Sequence, residues 1–520
     1  MESSWTKTRP GFKSPLRVVV RFLLRSRENK ANKCRELRQK LEEGQRLLVE
    51  WEAELERQRE ETRKWRQEAQ RLQSSLREIH RPALLLPVDP PLGRHGFGVR
   101  MVCLSVNLAK AVGLRGAHRA MKIFFEWLNV EQSAPHHTTI RNWLLREGLA
   151  ATRKPLPHFE DCVWMADHSN QIGPEKVLVV LSIRAANMPP PGETLKHEDL
   201  QVLTVRPGRS WTREDVAAVY NELAEQHGNP RAVLSDGAVE LREPVVSLKK
   251  TRSDTISLQD FKHKAANFLR ASLGKNERFA EFTTQIGRTR SVIQQTELAH
   301  LTPPSPKPKA RFMNLQATLE WAAVCLWLLD HPEADARRFV TAERLEDKLG
   351  WLRSFADELA MWRECQEVIS RGVTFANEQG LFGGAARRLR TTLFANMTHR
   401  VSRGLAKQLV QFVVAAERQL KPGERLPMST EILESTFSLY KQLERQHSKG
   451  GFTSLLASYG ALLRQSTPES IKQAFSTTAL NDVKRWVKEN LGDTLATKRR
   501  LTYHGFQQTL KRATILPVTG

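Results

Sequence analysis

The hydrophobic and polar positions in the middle of the chain predict a β-sheet. Apolar runs bounded by turn residues are typical of buried strands, and they occur at 163–168, 175–184, 200–205, 232–236 and 255–259. A helix is predicted at 211–227, between the third run and the fourth. A β-β-β-α-β order places the first and fourth strands side by side and parallel, so their carboxyl ends lie at the same edge.

Leucine and tryptophan recur with a 4-3 spacing between 31 and 80, a segment without proline. The spacing continues over about six heptads and predicts a coiled coil. A single long helix that packs on its own protein is the alternative, and we favour self-association. A flexible basic arm is expected at 1–30, and a proline-rich linker at 81–91 ends the helix.

Three amphipathic segments, at 99–112, 118–128 and 138–146, predict a helix-turn-helix domain. The third has polar residues at its amino end, apolar residues for packing and Gly148 as its terminator, which is typical of a recognition helix. A three-helix bundle without DNA contact is the alternative. The residues expected to face DNA are His137, Thr138, Thr139, Arg141 and Asn142.

Long amphipathic stretches between 265 and 424 predict a helical insertion, and a proline-rich break at 302–309 divides them. Four of its tryptophans are predicted core residues, namely Trp321, Trp327, Trp351 and Trp362, and stacking of one of them on a DNA base is the alternative. The end of the chain is basic again and is expected to guide DNA, with solubility alone as the alternative.

The charge balance favours a nucleic-acid partner. The 520 residues carry a formal net charge of +24, which favours binding to a polyanion. A basic protein at a membrane surface is the alternative, but no apolar run reaches transmembrane length and no secretory signal is apparent. Five scattered cysteines form no CxxC pair, which argues against a zinc site and a disulfide framework. We expect a cytoplasmic, nucleoid-associated protein with no membrane partner.

Two aspartates close the first and fourth predicted strands, Asp167 and Asp236. One such aspartate is more often a turn residue, but its recurrence favours a pair of metal ligands. Neighbouring strands lie about 4.8 Å apart, and two-metal phosphoryl-transfer sites hold their ions about 3.5–4 Å apart. Carboxylate oxygen is also the ligand that Mg²⁺ prefers.

A third carboxylate is expected on the helix predicted at 429–446. Glu434 lies at the border of its apolar face, where a ligand that points into a cleft must lie. Glu431 is the alternative, but it lies in the first turn, where an acidic residue commonly does no more than favour the helix dipole. Lys441 lies two turns after Glu434 on the same face and is available for a DNA phosphate.

These carboxylates lie in the segments WMADHS (164–169), VLSDGA (233–238) and ILESTFSLYK (432–441), the last followed by Gly-Gly-Phe-Thr at 450–453. The segments resemble those of DDE transposases with a ribonuclease H-like catalytic core, of the bacterial insertion-sequence type. The resemblance implies that Asp167, Asp236 and Glu434 form the catalytic triad, and it matches Lys441 to a lysine found in many bacterial members. Pro427 and Thr430 replace the Tyr and Arg of one family signature, which leaves the subfamily open.

The resemblance also implies metal ions and a substrate. The three carboxylates would hold Mg²⁺ or Mn²⁺, as two ions, and the partner would be double-stranded DNA, as transposon ends and target. The DxxHK segment at 260–264 resembles the family's lead into its next helix. Asp260 and His263 either contact the metal site or the DNA backbone, or they are a helix cap and a packed histidine, which we favour slightly.

The predicted fold class is an α/β multidomain protein, with a ribonuclease H-like mixed-sheet core and a helical insertion, preceded by a coiled coil and a helix-turn-helix domain. The predicted domains are a basic arm (1–30), a coiled coil (31–80), a helix-turn-helix domain (93–150), a first core part (158–264), the insertion (265–424), a second core part (425–468) and a basic tail (469–520). The predicted function is a transposase that cleaves DNA and transfers strands. A ribonuclease H-like nuclease and a non-catalytic DNA-binding oligomer, such as an inactivated transposase copy, are the alternatives.

Overall fold

The computed structural model describes residues 16–79, 89–92, 96–128, 133–170, 176–305, 312, 315–332, 340–395, 397–445, 452–493 and 495–514. The chain divides into two units, Met1–Val88 and Asp89–Gly520. Most of the predicted linker, residues 1–15 of the predicted arm and the two glycines at 450–451 lie outside the described residues.

The first unit contains one long helix, α1 (Leu16–Ile79). It starts earlier than the sequence predicts, because the apolar residues after Pro15 continue the helix into the segment expected to be a flexible arm. Trp51, Leu55 and Trp65 lie on this helix with exposed side chains. Their pairing with a second copy of the helix stays a prediction.

Deleting residues 31–80 is expected to lower the oligomeric mass, because this segment carries the predicted heptad seam. Sedimentation velocity of the truncated and full-length proteins measures the difference. A matched control deletes residues 495–514, a second exposed helical segment without the heptad pattern. This deletion should leave the number of copies in the oligomer unchanged. An unchanged number of copies in the 31–80 deletion would refute self-association through α1.

The second unit begins with three helices, α2 (Val99–Val112), α3 (Leu114–Trp127) and α4 (His137–Arg153). The prediction that Gly148 ends the third helix is wrong, since α4 continues to Arg153. A Cβ atom at Gly148 would lie 2.3 Å from the carbonyl oxygen of Ala457. The glycine therefore permits close packing rather than termination, and the helix-turn-helix assignment stays a prediction.

A five-stranded sheet follows, in the order β3-β2-β1-β4-β5. Its strands are β1 (Cys162–Asn170), β2 (Lys176–Arg184), β3 (Gln201–Gly208), β4 (Ala232–Ser235) and β5 (Ile256–Gln259). The strand β1 pairs antiparallel with β2 and parallel with β4, and β4 pairs parallel with β5. The predicted adjacency of the first and fourth strands is confirmed, and the arrangement is compatible with a ribonuclease H-like core.

Both faces of the sheet are covered, since every residue of β2 from Val177 to Ile183 is buried. One face packs on α5 (Arg213–His227), where Tyr220 meets Trp164 with ring centroids 6.0 Å apart. Two short helices complete that side, α6 (Val239–Arg242) and α7 (Val245–Thr251). The other face shares one continuous core with α4 and with the helices that follow β5. Burial on both faces explains why the strands are continuous apolar runs.

The chain between β5 and the third carboxylate is helical, as predicted. It contains α8 (Phe261–Leu273), α9 (Glu277–Ile293), α10 (Gln316–Asp330), α11 (Ala342–Leu349), α12 (Ala356–Gln379), α13 (Ala385–Leu393) and α14 (Arg400–Glu417). A small two-stranded antiparallel sheet pairs β6 (Leu381–Phe382), before α13, with β7 (Arg425–Leu426), after α14. Trp362 is fully buried and stacks edge-on against Phe279. Trp327 is 52% exposed, so its prediction as a core residue is wrong.

The helix α15 (Glu431–Arg445) carries the third carboxylate, and a 3₁₀ segment (Ser454–Leu463) follows it. The last helices are α16 (Pro468–Thr477), α17 (Leu480–Asn490) and α18 (Leu495–Thr514). The Arg146 guanidinium donates to the carbonyls of Phe475 and Thr478 at 3.0 and 2.8 Å. Residues 469–478, predicted as the start of a tail, therefore belong to the folded unit. No helix in the described part of the chain is long and apolar enough to cross a membrane.

Candidate functional site

Asp167 and Asp236 lie at the same edge of the sheet. Ala166 of β1 pairs with Ser235, the last residue of β4, so the two aspartates are the next residues on adjacent parallel strands. The backbone N–H of His168 donates to Oδ1 of Asp167 at 2.6 Å, and the N–H of Ala238 donates to Oδ1 of Asp236 at 2.8 Å. The prediction that Asp167 closes its strand is wrong, since β1 continues to Asn170, whereas Asp236 directly follows β4. Backbone N–H groups hold both carboxylates.

Burial, with smaller contributions from the charges of Asp236 and Glu434, raises the pKa of Asp167 to about 7. The hydrogen bond from the N–H of His168 and the charge of His263 act in the opposite direction. Desolvation and like charges both disfavour an ionised carboxylate. Asp167 is therefore a buried carboxylate on which two further carboxylates act, and a carboxyl group with a raised pKa is typical of functional sites.

Glu434 reaches the site from α15. Its Oε2 lies 3.2 Å from Nζ of Lys262, and its Oε1 lies 3.9 Å from Nε2 of His263. Glu431, the alternative, lies 2.7 Å from Nζ of Lys262 and accepts a hydrogen bond from the Asn377 amide. Of the two glutamates, Glu434 is the one whose charge raises the pKa of Asp167. The role of Glu434 as the third ligand stays a prediction.

Asp260 links the sheet to the helix that carries Glu434. It is fully buried at the end of β5, and it caps α8 by accepting from N–H and Nδ1 of His263 at 2.7 and 2.8 Å. Its other oxygen accepts from the N–H of Thr430, at the start of α15, at 2.7 Å. Burial opposes ionisation, but these hydrogen bonds hold the pKa of Asp260 below its usual range. Asp260 therefore fixes the position of α15 relative to Asp236.

Asp260→Ala is expected to destabilise the protein by about 2–4 kcal/mol, because it leaves the buried N–H of Thr430 and the ring of His263 without their acceptor. Scanning calorimetry measures the change. Asp254→Ala is the control, since Asp254 forms its ion pairs with Arg252 and Lys421 at the surface and should cost less than about 1 kcal/mol. Equal effects of the two substitutions would contradict the role assigned to Asp260.

Sequence reasoning identified Asp260 and His263 but missed Lys262. Asp260 is the helix cap that we favoured, and its partner His263 also reaches the site. His263 lies beside Glu434, and the charges of Asp236 and Glu434 raise the pKa of His263. Lys262 lies between Asp260 and His263 in the DxxHK segment and bridges both candidate glutamates. The basic residues in the first turn of α8, directly after an apolar strand, were the available signal.

Lys441 lies on the side of α15 that faces Asp167. Burial lowers the pKa of Lys441, and the charge of Asp167 partly offsets this effect. The 3₁₀ segment closes the same side, where the hydroxyl of Tyr459 forms a hydrogen bond with Thr436. Burial and the charge of Asp167 both raise the pKa of Tyr459. The charge of Asp167 acts on Lys441, and a contact between Lys441 and a DNA phosphate stays a prediction.

The five residues predicted to face DNA lie at the start of α4, and they differ in exposure. Thr138 is exposed, whereas His137, Thr139 and Asn142 are partly buried. Arg141 turns toward the sheet domain, where it donates to Ser454, and burial lowers its pKa while the charge of Glu444 raises it. A contact between Arg141 and DNA would have to break this interaction. DNA contact by the set stays a prediction.

The three carboxylates fit a hard divalent cation by their chemistry, since they offer oxygen ligands and their mutual repulsion would be relieved by positive charge. Within the described ranges, however, no three His, Cys, Asp or Glu side chains are close enough together to hold an ion. Lys262 supplies the positive charge beside Glu434. Glu434 would have to exchange this ion pair for a metal ion to complete the set.

No protein-family model matches this sequence, and no curated protein matches it. Among solved structures, the chain is similar to the Drosophila P element transposase strand transfer complex. The TM-score is 0.36 at 10% sequence identity, over 76% of this chain and 97% of that chain. A TM-score this low supports no conclusion about function. Membership of the bacterial insertion-sequence type stays a prediction.

Proposed function

We propose that this protein is a transposase, which binds transposon-end DNA and catalyses metal-dependent strand cleavage and strand transfer. One observation carries the proposal. Asp167 and Asp236 follow paired residues on adjacent parallel strands, and the charges of Asp236 and Glu434 both act on Asp167. Converging carboxylates at the carboxyl edge of a mixed sheet suit phosphoryl transfer, because that reaction needs positioned divalent cations.

Asp167, Asp236 and Glu434 would hold two Mg²⁺ or Mn²⁺ ions. When bound, such ions activate water or a 3′-hydroxyl and stabilise the leaving oxygen. Other residues of the chain would position the carboxylates and the DNA. Asp260 fixes α15, and Lys262 releases Glu434 while staying paired with Glu431. Lys441 then binds the phosphate beside the carboxylates, so that the scissile bond lies within reach of all three.

The proposed partner is double-stranded DNA, and its charge matches the net charge of +24. The start of α4 contributes sequence-dependent contacts through Thr138 and its neighbours. Copies of the chain associate through α1 and hold two DNA ends together, as strand transfer requires. The site of action is the nucleoid in the cytoplasm.

The test uses a plasmid that carries the DNA flanking the coding region, incubated with the full-length protein and Mg²⁺, Mn²⁺ or EDTA. The expected result is metal-dependent cleavage at the ends of that DNA, followed by joined products in a second, labelled plasmid. Cleavage without joining would point instead to a nuclease. Binding without either product, for the wild-type protein, would support the non-catalytic oligomer and overturn the proposal.

A further inference from the structure

The helices α13 and α14 carry a concentration of positive charge. Between residues 385 and 418 there are seven Lys or Arg residues and one acidic residue, Glu417. All seven basic side chains are exposed, namely Arg387, Arg388, Arg390, Arg400, Arg403, Lys407 and Arg418. None of them belongs to the site at the sheet edge or to the residues predicted to face DNA.

Two carboxylates near these cations, those of Glu417 and Glu364, accept hydrogen bonds from backbone N–H groups. Glu417 accepts from the N–H groups of Gly384 and Ala386 at 2.6 and 2.9 Å, at the start of α13. Glu364 accepts from the N–H groups of Thr398 and His399 at 3.0 and 3.1 Å, at the start of α14. Acidic side chains are stabilised at helix amino ends. The carboxylates of Glu417 and Glu364 therefore bind to the helix ends, and among the described residues they form no ion pair with the exposed arginines.

The lack of counter-charges holds across the described residues. No ion pair is formed there by Arg387, Arg388, Arg400, Lys407 or Arg418, whereas Arg371, on the neighbouring α12, pairs with Glu367. Cations that pair with no carboxylate of their own chain repel one another. Here such cations lie close together, on two adjacent helices. Such an arrangement costs stability unless a polyanion binds to it.

The spacing of the cations makes a line. Arg400, Arg403, Lys407 and Arg418 recur at helical intervals, so they share one face of α14, and at 1.5 Å per residue the line is about 27 Å long. The contact between Glu417 and the start of α13 makes the two helices antiparallel neighbours. Arg387, Arg390 and Arg418 line a shallow groove of about 510 Å³ between them, together with Glu417, whose carboxylate accepts from backbone N–H groups.

We propose that this surface, the α13–α14 face, binds the phosphate backbone of duplex DNA at a distance from the reacting bond. A line of cations suits a regular row of phosphates, because a guanidinium binds phosphate oxygens through two N–H groups and an ammonium binds them as a point charge. The proposal requires a nucleic-acid partner but not phosphoryl-transfer chemistry. It extends phosphate contact to the helical insertion.

The test measures the binding of the full-length protein to a fluorescent 30-base-pair duplex by anisotropy, in EDTA, between about 50 and 200 mM salt. The variant Arg387→Gln/Lys407→Gln/Arg418→Gln removes three cations from both helices of the face. The control Arg242→Gln/Lys249→Gln/Lys250→Gln removes three exposed cations from α6 and α7. Both variants change the net charge equally, and circular dichroism melting verifies that each is folded.

The expected result is a Kd at least about tenfold higher for the α13–α14 variant, with a salt dependence that is shallower by about two to three in the log–log slope. The control should change Kd less than about threefold. Its three cations contribute only to the net charge of the protein, to which many other residues contribute as well. Equal losses in the two variants would overturn the proposal. Competition by poly-glutamate as strong as competition by duplex DNA would overturn it too, in favour of an acidic protein partner. Because EDTA prevents cleavage, failure of the proposed chemistry would leave this result unchanged.

Discussion

Asp167→Asn is expected to abolish metal-dependent DNA cleavage and, at the same time, to make the metal-free protein more stable. The carboxylate is partly buried within β1, and desolvation together with Asp236 raises its pKa to about 7. A group with a raised pKa binds its proton more tightly when folded, so its ionised form above neutral pH costs folding free energy. The neutral amide removes that cost, and we expect a gain of about 1–3 kcal/mol at pH 8 in EDTA.

The control is Asp161→Asn, just before the start of the same strand. Asp161 pairs with Arg184 and accepts from the N–H of Ala186, and these hydrogen bonds lower its pKa despite partial burial. The substitution should cost stability and leave cleavage near wild type. Cleavage assays and calorimetry in EDTA measure both properties. An Asp167→Asn protein that still cleaves DNA, or that melts earlier than wild type, would contradict the ligand assignment.

Glu434→Gln is expected to reduce cleavage by a hundredfold to a thousandfold or more, whereas Glu431→Gln costs less than about fivefold. A metal ligand supplies several kcal/mol of transition-state stabilisation, and each 1.4 kcal/mol is about tenfold in rate. Glu434 is the glutamate whose charge acts on Asp167, and it is bound by Lys262 at the longer distance of 3.2 Å. Glu431 lies at 2.7 Å from the same lysine and also holds Asn377.

The pair of variants is its own control, because both substitutions keep the shape of the side chain and remove one charge from the same helix. DNA affinity should stay within about twofold for each, since neither glutamate is proposed to contact phosphate. A larger loss of cleavage in Glu431→Gln than in Glu434→Gln would move the third ligand one turn toward the start of α15.

The sequence was most informative where one local pattern decides the structure. Continuous apolar runs predicted all five strands, and the β-β-β-α-β order was enough to place Asp167 beside Asp236. The helix predicted between the third and fourth strands is present as α5, with Thr212 as its cap. These features depend on periodicity, turn residues and connection rules, which a single sequence contains.

Contacts between distant segments were not accessible in the same way. Gly148 has the pattern of a helix terminator, but its backbone packs against Ala457, more than three hundred residues later. Arg141 has the pattern of a DNA contact, but it donates to Ser454. The bond from Thr430 to Asp260 likewise joins residues 170 positions apart. Tertiary packing decides each of these, and local periodicity carries no information about it.

The central claim is that Asp167, Asp236 and Glu434 bind metal as one site, and iron-directed cleavage of the protein tests it most directly. Fe²⁺ replaces Mg²⁺ in the complex of the full-length protein with DNA, and ascorbate with peroxide generates hydroxyl radicals that cut the backbone beside the bound ion. The prediction is three cut positions, near 167, 236 and 434, that excess Mg²⁺ suppresses and that Asp236→Asn removes together. Cuts at one of these positions alone, or cuts elsewhere that persist in Asp236→Asn, would contradict a shared site.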